Sequence, residues 1–275
     1  MFEAYTLLGA LAARTSTVRL GTLVTGVTYR HPAVLAKVVT ALDVISSGRA
    51  LLGIGAAWYD VEHHALGVDF PPLRERYELL VDALRICTAM FTQEQSTVVG
   101  THHSITDAWN VPRPVTPGGP PILIGGSGEK KTFGIAAEYA DELNIVGAPV
   151  DFPRKLEALD GHLERLGRDR SSISVSILGS AIVGATHEDA EATVAEMLTV
   201  RGVDNALDIV RDPDTLAAIM PRAILWGDAD EVGEQAQALA DLGIDGLVVN
   251  LMADPGDVDA VVRTGQALSK VFHAA

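Results

Sequence analysis

The sequence predicts an α/β fold built on parallel strands, and three observations carry that prediction. Residues 18–59 read strand, polar loop, helix, strand, Gly-rich loop. A helical span of more than ten residues between two strands is the signature of a parallel crossover. The same alternation resumes at Pro121 and runs to Phe272. No linker or internal repeat divides the chain, so 1–275 reads as one domain.

Each element follows in order. Glu3 to Arg14 reads as a helix, with Leu7, Leu8 and Leu11 at i, i+1 and i+4. Val18 to Val24 is a strand, and Pro32 to Ile45 the next helix, with Pro32 in a first turn where a missing N–H costs nothing. Leu51 to Gly55 is the second strand and Leu73 to Phe91 a long amphipathic helix. Gly100 and the alternation around it make Thr97 to Val111 a β-hairpin excursion. Strands then fall at Pro121–Gly125, Glu142–Val146, Ile173–Val183 and Gly246–Leu251. Helices fall at Glu129–Tyr139, Phe152–Leu166, His187–Val200, Asp204–Ala218, Ala229–Leu242 and Val258–Phe272. Ile224 to Trp226 is a short strand or a connector.

The expected parallel strands number about six, where a (β/α)8 barrel needs eight at roughly 30 residues per unit. The shortage lies at the front, because Glu3 to Arg14 is a crossover helix with no strand feeding it. An open doubly wound sheet is the other architecture that six strands allow. The dinucleotide fingerprint GxGxxG is absent, since GIGAAWY has two of the three glycines.

Composition narrows the function. A chain with 48% hydrophobic and 21% charged residues is globular rather than disordered. Its net charge of −15 argues against nucleic acid as a partner. The single cysteine, Cys87, lies in an apolar helix face with nothing basic beside it, and reads as buried filler. A lone thiol, no signal peptide and no membrane-length apolar run together predict a cytoplasmic chain with no membrane partner.

Chemistry is expected in the loops that leave the strands. Gly125 to Lys131, GGSGEKK, follows a strand and opens a helix, so its backbone N–H groups can cradle a phosphate. Lys130 or Lys131 could add a full charge; the plainer alternative is a turn with Ser127 or Gly128 as helix cap. In GIGAAWYDVEHHALG, the small Ala56 and Ala57 would let a flat ring approach the backbone, and Trp58 and Tyr59 could stack on it. The alternative there is that Trp58 plugs the rim. No metal is expected at Asp60, Glu62, His63 and His64, because the spacing does not set ligands on one helix face. In the loop Thr22 to Ala33, Thr25, Thr28, Tyr29 and His31 offer hydrogen-bonding groups. There His31 reads as a helix cap, and Arg30 as an anion contact or a salt bridge. Asp228 or Asp230 caps a later helix, and Asn250 would face the mouth of a barrel.

The order of RLGTLVTGVTYRHP, LAKVVTALDVISSGR, LLGIGAAWYDVEHHALGVDF, PPILIGGSGEKK and GLVVNL resembles the luciferase-like monooxygenase superfamily, in particular its coenzyme F420-dependent oxidoreductases. The resemblance implies a (β/α)8 TIM barrel with a hairpin insertion, and coenzyme F420, or alternatively FMN, over its C-terminal mouth. The backbone at Leu23 and Val24, with Thr25, would match the family's ring-supporting bulge, often a cis peptide. Ala56, Ala57, Trp58 and Tyr59 would match the loop beside the ring. Gly125, Gly126, Ser127 and Gly128 would match the loop that holds phosphate. A hydride would pass between the deazaflavin and a small-molecule substrate, and the resemblance implies a homodimer. An FMN-dependent two-component monooxygenase, or a cofactor-binding protein without turnover, are the alternatives. The family's opening strand, helix and strand, with their Asp-His pair, would lie before Met1 in roughly 60 residues. No catalytic residue can therefore be assigned by motif, and the expectation is an N-terminally incomplete barrel.

Overall fold

The computed structural model describes residues 2–220, 222–251 and 257–272. They form two compact units, Met1–Leu143 and Asn144–Ala275.

The first unit runs α1 (Ala4–Arg14), β1 (Leu20–Gly21), β2 (Thr25–Gly26), α2 (Pro32–Ser46), β3 (Ala50–Gly55), α3 (Asp60–Leu66), α4 (Leu73–Thr92), β4 (Gln95–Val99), β5 (Ser104–Trp109), β6 (Ile122–Gly125) and α5 (Thr132–Tyr139). Of the strand expected at Val18 to Val24 only Leu20–Gly21 is strand, as β1, and β2 follows just beyond it at Thr25–Gly26; both are parallel to β3. Pairing passes from Gly21↔Leu51 to Thr25↔Ile54, so the first strand carries one extra residue, a bulge at Thr22–Val24. The Leu23–Val24 peptide is cis. On its other side β3 pairs with β6 in parallel, from Leu52↔Ile122 to Ile54↔Ile124.

Helix α4 shows why the core sits where it does. Leu80, Ala83, Leu84, Cys87 and Met90 recur at helical spacing and are all buried. The Cys87 thiol donates to the Pro32 carbonyl at 3.6 Å, and burial pushes it up to about 12, which fits filler rather than a nucleophile. Helix α1 departs from its pattern: Tyr5 and Ala12 are buried, while Leu7 and Leu11 stay exposed. The hairpin is present as antiparallel β4 and β5. Its turn is held by Asp82 of α4, whose carboxylate accepts the N–H groups of Thr101, His102 and His103 at 3.0, 2.7 and 3.0 Å.

The second unit contains α6 (Phe152–Leu166), β8 (Ser174–Val183), α7 (His187–Val200), α8 (Ala206–Val210), α9 (Pro213–Ile219), β9 (Ile224–Gly227), α10 (Ala229–Asp241), β10 (Gly246–Leu251) and α11 (Val258–Leu268), preceded by β7 (Glu142–Ile145), which starts at the unit boundary. Strand β8 pairs in parallel with β10 from Ser176↔Gly246 to Ala181↔Leu251, and with β9 from Ser180↔Ile224 to Val183↔Gly227. Leu159, Leu163, Val175, Ile177, Val194 and Val232 are buried here. Of the two alternatives for Ile224 to Trp226, the short strand is present, as Ile224–Gly227, and adds one to the six expected. One expectation needs correction. The single helix expected at Asp204 to Ala218 is two, because Pro213 cannot donate an N–H within a helix and instead opens α9, capped by Asp212. Asp228 caps α10 in a reciprocal capping box with Glu231, as its position suggested. No helix among the described residues is long and apolar enough to cross a membrane.

Candidate functional site

The candidate site is built where the parallel strands β2, β3 and β6 end, so their loops leave the same edge of the first unit. Glycine makes the strand ends fit together. Gly53 and Gly55 lie two apart on β3 and so share a face. A Cβ on Gly53 would overlap the Thr22 carbonyl oxygen; one on Gly55 would lie 2.9 Å from Val24 Cγ2. A Cβ on Gly125, at the end of β6, would lie 2.8 Å from Val24 Cγ1. The bulge is thus seated on three missing side chains. Thr22 fastens it, donating its hydroxyl to the Gly53 carbonyl at 2.8 Å and accepting the Thr25 N–H at 3.1 Å. Leu23 is 40% exposed, Val24 half-buried and Thr25 buried. Val24 therefore stands against Gly125, at the start of the phosphate-type loop, with Leu23 and Thr25 on either side of it in the chain.

The loop after β3 is fixed from both sides. Ala57 has φ of +61°, a left-handed conformation that L-residues seldom adopt. Its Cβ would be 3.1 Å from a Cβ placed on Gly26, which ties this loop to the end of β2. Arg76 of α4 reaches under the loop and donates to the carbonyls of Ala56 and Ala57 at 3.2 and 2.6 Å. Trp58 is 81% exposed and Tyr59 is also exposed, their ring centroids 5.1 Å apart. The rim-plug alternative for Trp58 is therefore corrected: a plug would be buried, and this ring faces solvent.

His63, on α3, is fully buried and makes a structural network. Its Nδ1 donates to the Tyr59 carbonyl at 2.7 Å, because a carbonyl can only accept. That leaves Nε2 to accept the Thr28 hydroxyl at 2.6 Å. Tyr29 packs on the His63 ring and donates its hydroxyl to Glu62 at 2.6 Å. Burial, then the Glu62 carboxylate, push the Tyr29 phenol up to about 12. Among the described residues no group of His, Cys, Asp and Glu could hold a metal ion.

The Gly125–Gly128 loop needs its glycines. Gly126 has φ of +150°, and a Cβ there would be 3.0 Å from Thr132 Cγ2. On Gly128 a Cβ would be 3.0 Å from Thr132 Oγ1, which is itself 3.0 Å from the Tyr77 hydroxyl. The helix after the loop begins at Thr132, three residues later than expected, with Lys131 at the cap position and no side-chain cap. Ser127 and Gly128 are therefore not its caps, which corrects that alternative. Lys130 and Lys131 are both exposed. Arg30 is engaged in an ion pair with Glu3, a hydrogen bond to Thr25 and a stack on Tyr5, so the salt-bridge alternative describes it. His31 caps α2 by accepting the Ala33 N–H.

Two residues at this site were missed by sequence reasoning, Arg76 and Tyr77. Arg76 had a signal: it lies on the stripe Leu80, Ala83, Cys87, Met90 and so was due to be buried. Tyr77 had none.

Comparisons with known proteins bear on the whole chain. The luciferase-like monooxygenase family profile matches residues 1–246. An F420-dependent glucose-6-phosphate dehydrogenase of Microbacterium testaceum is 32% identical over 262 residues, covering 90% of this chain and 76% of that one. Among solved structures, the coenzyme F420-dependent tetrahydromethanopterin reductase of Methanopyrus kandleri superposes with a TM-score of 0.79 at 20% identity, over 98% of this chain and 88% of that one. The monooxygenase RslO1 of Streptomyces bottropensis gives a TM-score of 0.79 at 20% identity, over 98% and 82%. These two likenesses show the fold, an α/β fold of the same type with a mostly parallel central sheet.

Proposed function

The chain belongs to the luciferase-like monooxygenase family, and on that premise we propose that it is an oxidoreductase that binds coenzyme F420 and exchanges a hydride with a small organic substrate. The observation that carries this reading is the seating of the Val24 bulge on Gly53, Gly55 and Gly125. It brings three strand ends together, with glycine at three positions where a side chain would otherwise separate the backbones. A flat ring needs such a surface. The exposed rings of Trp58 and Tyr59 beside it offer apolar cover.

Bound there, the cofactor supplies a carbon centre that gives or takes a hydride. The chain's own contribution is positioning and the exclusion of water. Leu23, Val24 and Thr25 support the ring face. Ala56 and Ala57 admit it, and Trp58 and Tyr59 flank it. Gly125, Gly126, Ser127 and Gly128 are the loop assigned to a phosphate, and Gly126 holds the φ of +150° that the loop needs. The name of the Microbacterium relative makes glucose 6-phosphate the first substrate to assay. A homodimer in the cytoplasm belongs to the same reading and rests on family resemblance.

The test is a fluorescence titration of the purified chain with coenzyme F420 and, separately, with FMN. Saturable binding of F420 at micromolar concentration or tighter supports the proposal. Binding of FMN alone, or of neither, overturns it. Oxygen uptake on adding reduced FMN and a candidate substrate would mark the monooxygenase alternative.

A further inference from the structure

The polar side chains around the Val24 bulge are engaged within the protein. Thr22 donates to the Gly53 carbonyl, Thr28 bonds His63, and Tyr29 donates to Glu62. Arg30 is paired with Glu3 and bonded to Thr25. Arg76 is 8% exposed and donates to the carbonyls of Pro71, Ala56 and Ala57 from beneath the loop. Neither guanidinium is left for an anionic ligand, since each would first have to break bonds it already makes. Lys130 and Lys131, both exposed, follow the loop assigned to the cofactor's phosphate.

What this edge exposes instead is apolar. Leu23 on the bulge, Trp58 and Tyr59 after β3, and Val61 in the first turn of α3 are 40%, 81%, 45% and 58% exposed. Scattered singly such side chains need no explanation, but gathered at the ends of paired strands they mark a binding surface. Beside them stand Asp60 and Glu62, both exposed, whose charges would repel a phosphate dianion. Two polar groups remain open, the Tyr59 hydroxyl and the Trp58 Nε1–H, which have no partner among the described residues. An apolar wall with one or two polar groups is the composition of a site for an apolar molecule with few polar atoms.

We propose that the substrate is an apolar organic molecule carrying one hydroxyl or carbonyl group at its reacting carbon, and not a sugar phosphate. The inference rests on the function proposed above and names the substrate class of that same site. The apolar body lies against Val61 and the aromatic pair. The Tyr59 hydroxyl can both donate and accept, so it suits the oxygen in either oxidation state. An alcohol loses a hydride from carbon to the cofactor and a proton from oxygen to solvent, and becomes the carbonyl compound; reduction is the reverse.

Calorimetric titration of the F420-loaded chain with straight-chain methyl ketones of four to nine carbons tests this. Affinity should rise about fourfold with each methylene, the fold-change that corresponds to ~0.8 kcal/mol per buried CH2. Glucose 6-phosphate at millimolar concentration should neither bind nor reduce F420. Tyr59→Phe should weaken every ketone by about tenfold and keep the increment per methylene. Val61→Asp should flatten the increment and leave F420 affinity within about twofold of the parent. A flat series, or saturable binding of glucose 6-phosphate, overturns the inference and leaves the proposed function standing. Absence of F420 binding by the unmodified chain overturns both. Should a variant fail to fold, the series on the unmodified chain decides alone.

Discussion

Gly53→Ala reverses the sign that sequence reasoning alone would give. Gly53 lies inside β3 with no left-handed φ, where alanine ought to gain about 0.5–1 kcal/mol in backbone entropy. The structure places the new Cβ on the Thr22 carbonyl oxygen and 2.9 Å from its carbon. Both neighbours are backbone, so no rotamer change relieves the overlap and the bulge itself must move. Forced overpacking costs typically about 1–3 kcal/mol. Moving the bulge also threatens the Thr22 hydroxyl bond to the Gly53 carbonyl, at about 1 kcal/mol. After subtracting the entropic gain, the net loss is roughly 1–3.5 kcal/mol. Urea unfolding followed by circular dichroism measures it. Gly9→Ala and Gly265→Ala are the controls: both glycines are helical, have nothing within 4 Å, and should gain up to about 1 kcal/mol. If Gly53→Ala stays within about 0.5 kcal/mol of the parent while the controls behave, the bulge is not seated on β3 and the argument for the site fails.

Other outcomes are expected from the same geometry. Gly126→Asp puts a side chain where φ is +150° and Thr132 is 3.0 Å away, so F420 affinity should fall beyond detection while circular dichroism is unchanged; unchanged affinity removes the phosphate assignment. F420 should quench tryptophan emission, and Trp58→Phe should abolish most of that change, leaving only the response of Trp109 and Trp226; a variant that quenches like the parent places the ring elsewhere. Burial raises the Asp82 pKa, but the three backbone N–H bonds more than offset that and hold it below the usual carboxylate range. Its stabilisation is therefore complete above the ordinary value near ~3.9 and is lost as pH falls through the lower native value. Asp82→Asn should cost about 1–3 kcal/mol at neutral pH and flatten the acid limb of stability below about pH 4, as read by urea unfolding from pH 3 to 7.

Much of the fold was readable because periodicity and punctuation agreed. Pro32 at a helix start, Gly100 in a hairpin turn and the apolar stripe of α4 each fixed an element that the structure contains. Failures came where a local signal was weaker than a distant contact. The strand at Val18 to Val24 looks continuous, and only its register against β3 reveals the extra residue. Helix α3 went unread because seven residues hold less than two heptads of pattern, yet it carries the buried His63 that fixes Tyr59. The leucines of α1 fit a helix but not the face that is buried.

The glycines of the site hold the larger lesson. GIG has the first two glycines of a nucleotide fingerprint and lacks the third. Its spacing of two nevertheless puts Gly53 and Gly55 on one face of β3, and a strand that omits two side chains on one face must meet something close there. What it meets is the neighbouring strand's own bulge, and Gly125 completes the seat from the other side. The same shortage of side chains that lets Val24 in also keeps the strand ends open to a flat ligand. Packing and binding thus place the same demand on these three positions. Their substitution by alanine should therefore cost stability and cofactor affinity together through the seating of the bulge, whereas at Gly126, which seats no strand, the strain of a side chain at φ +150° falls on the loop alone.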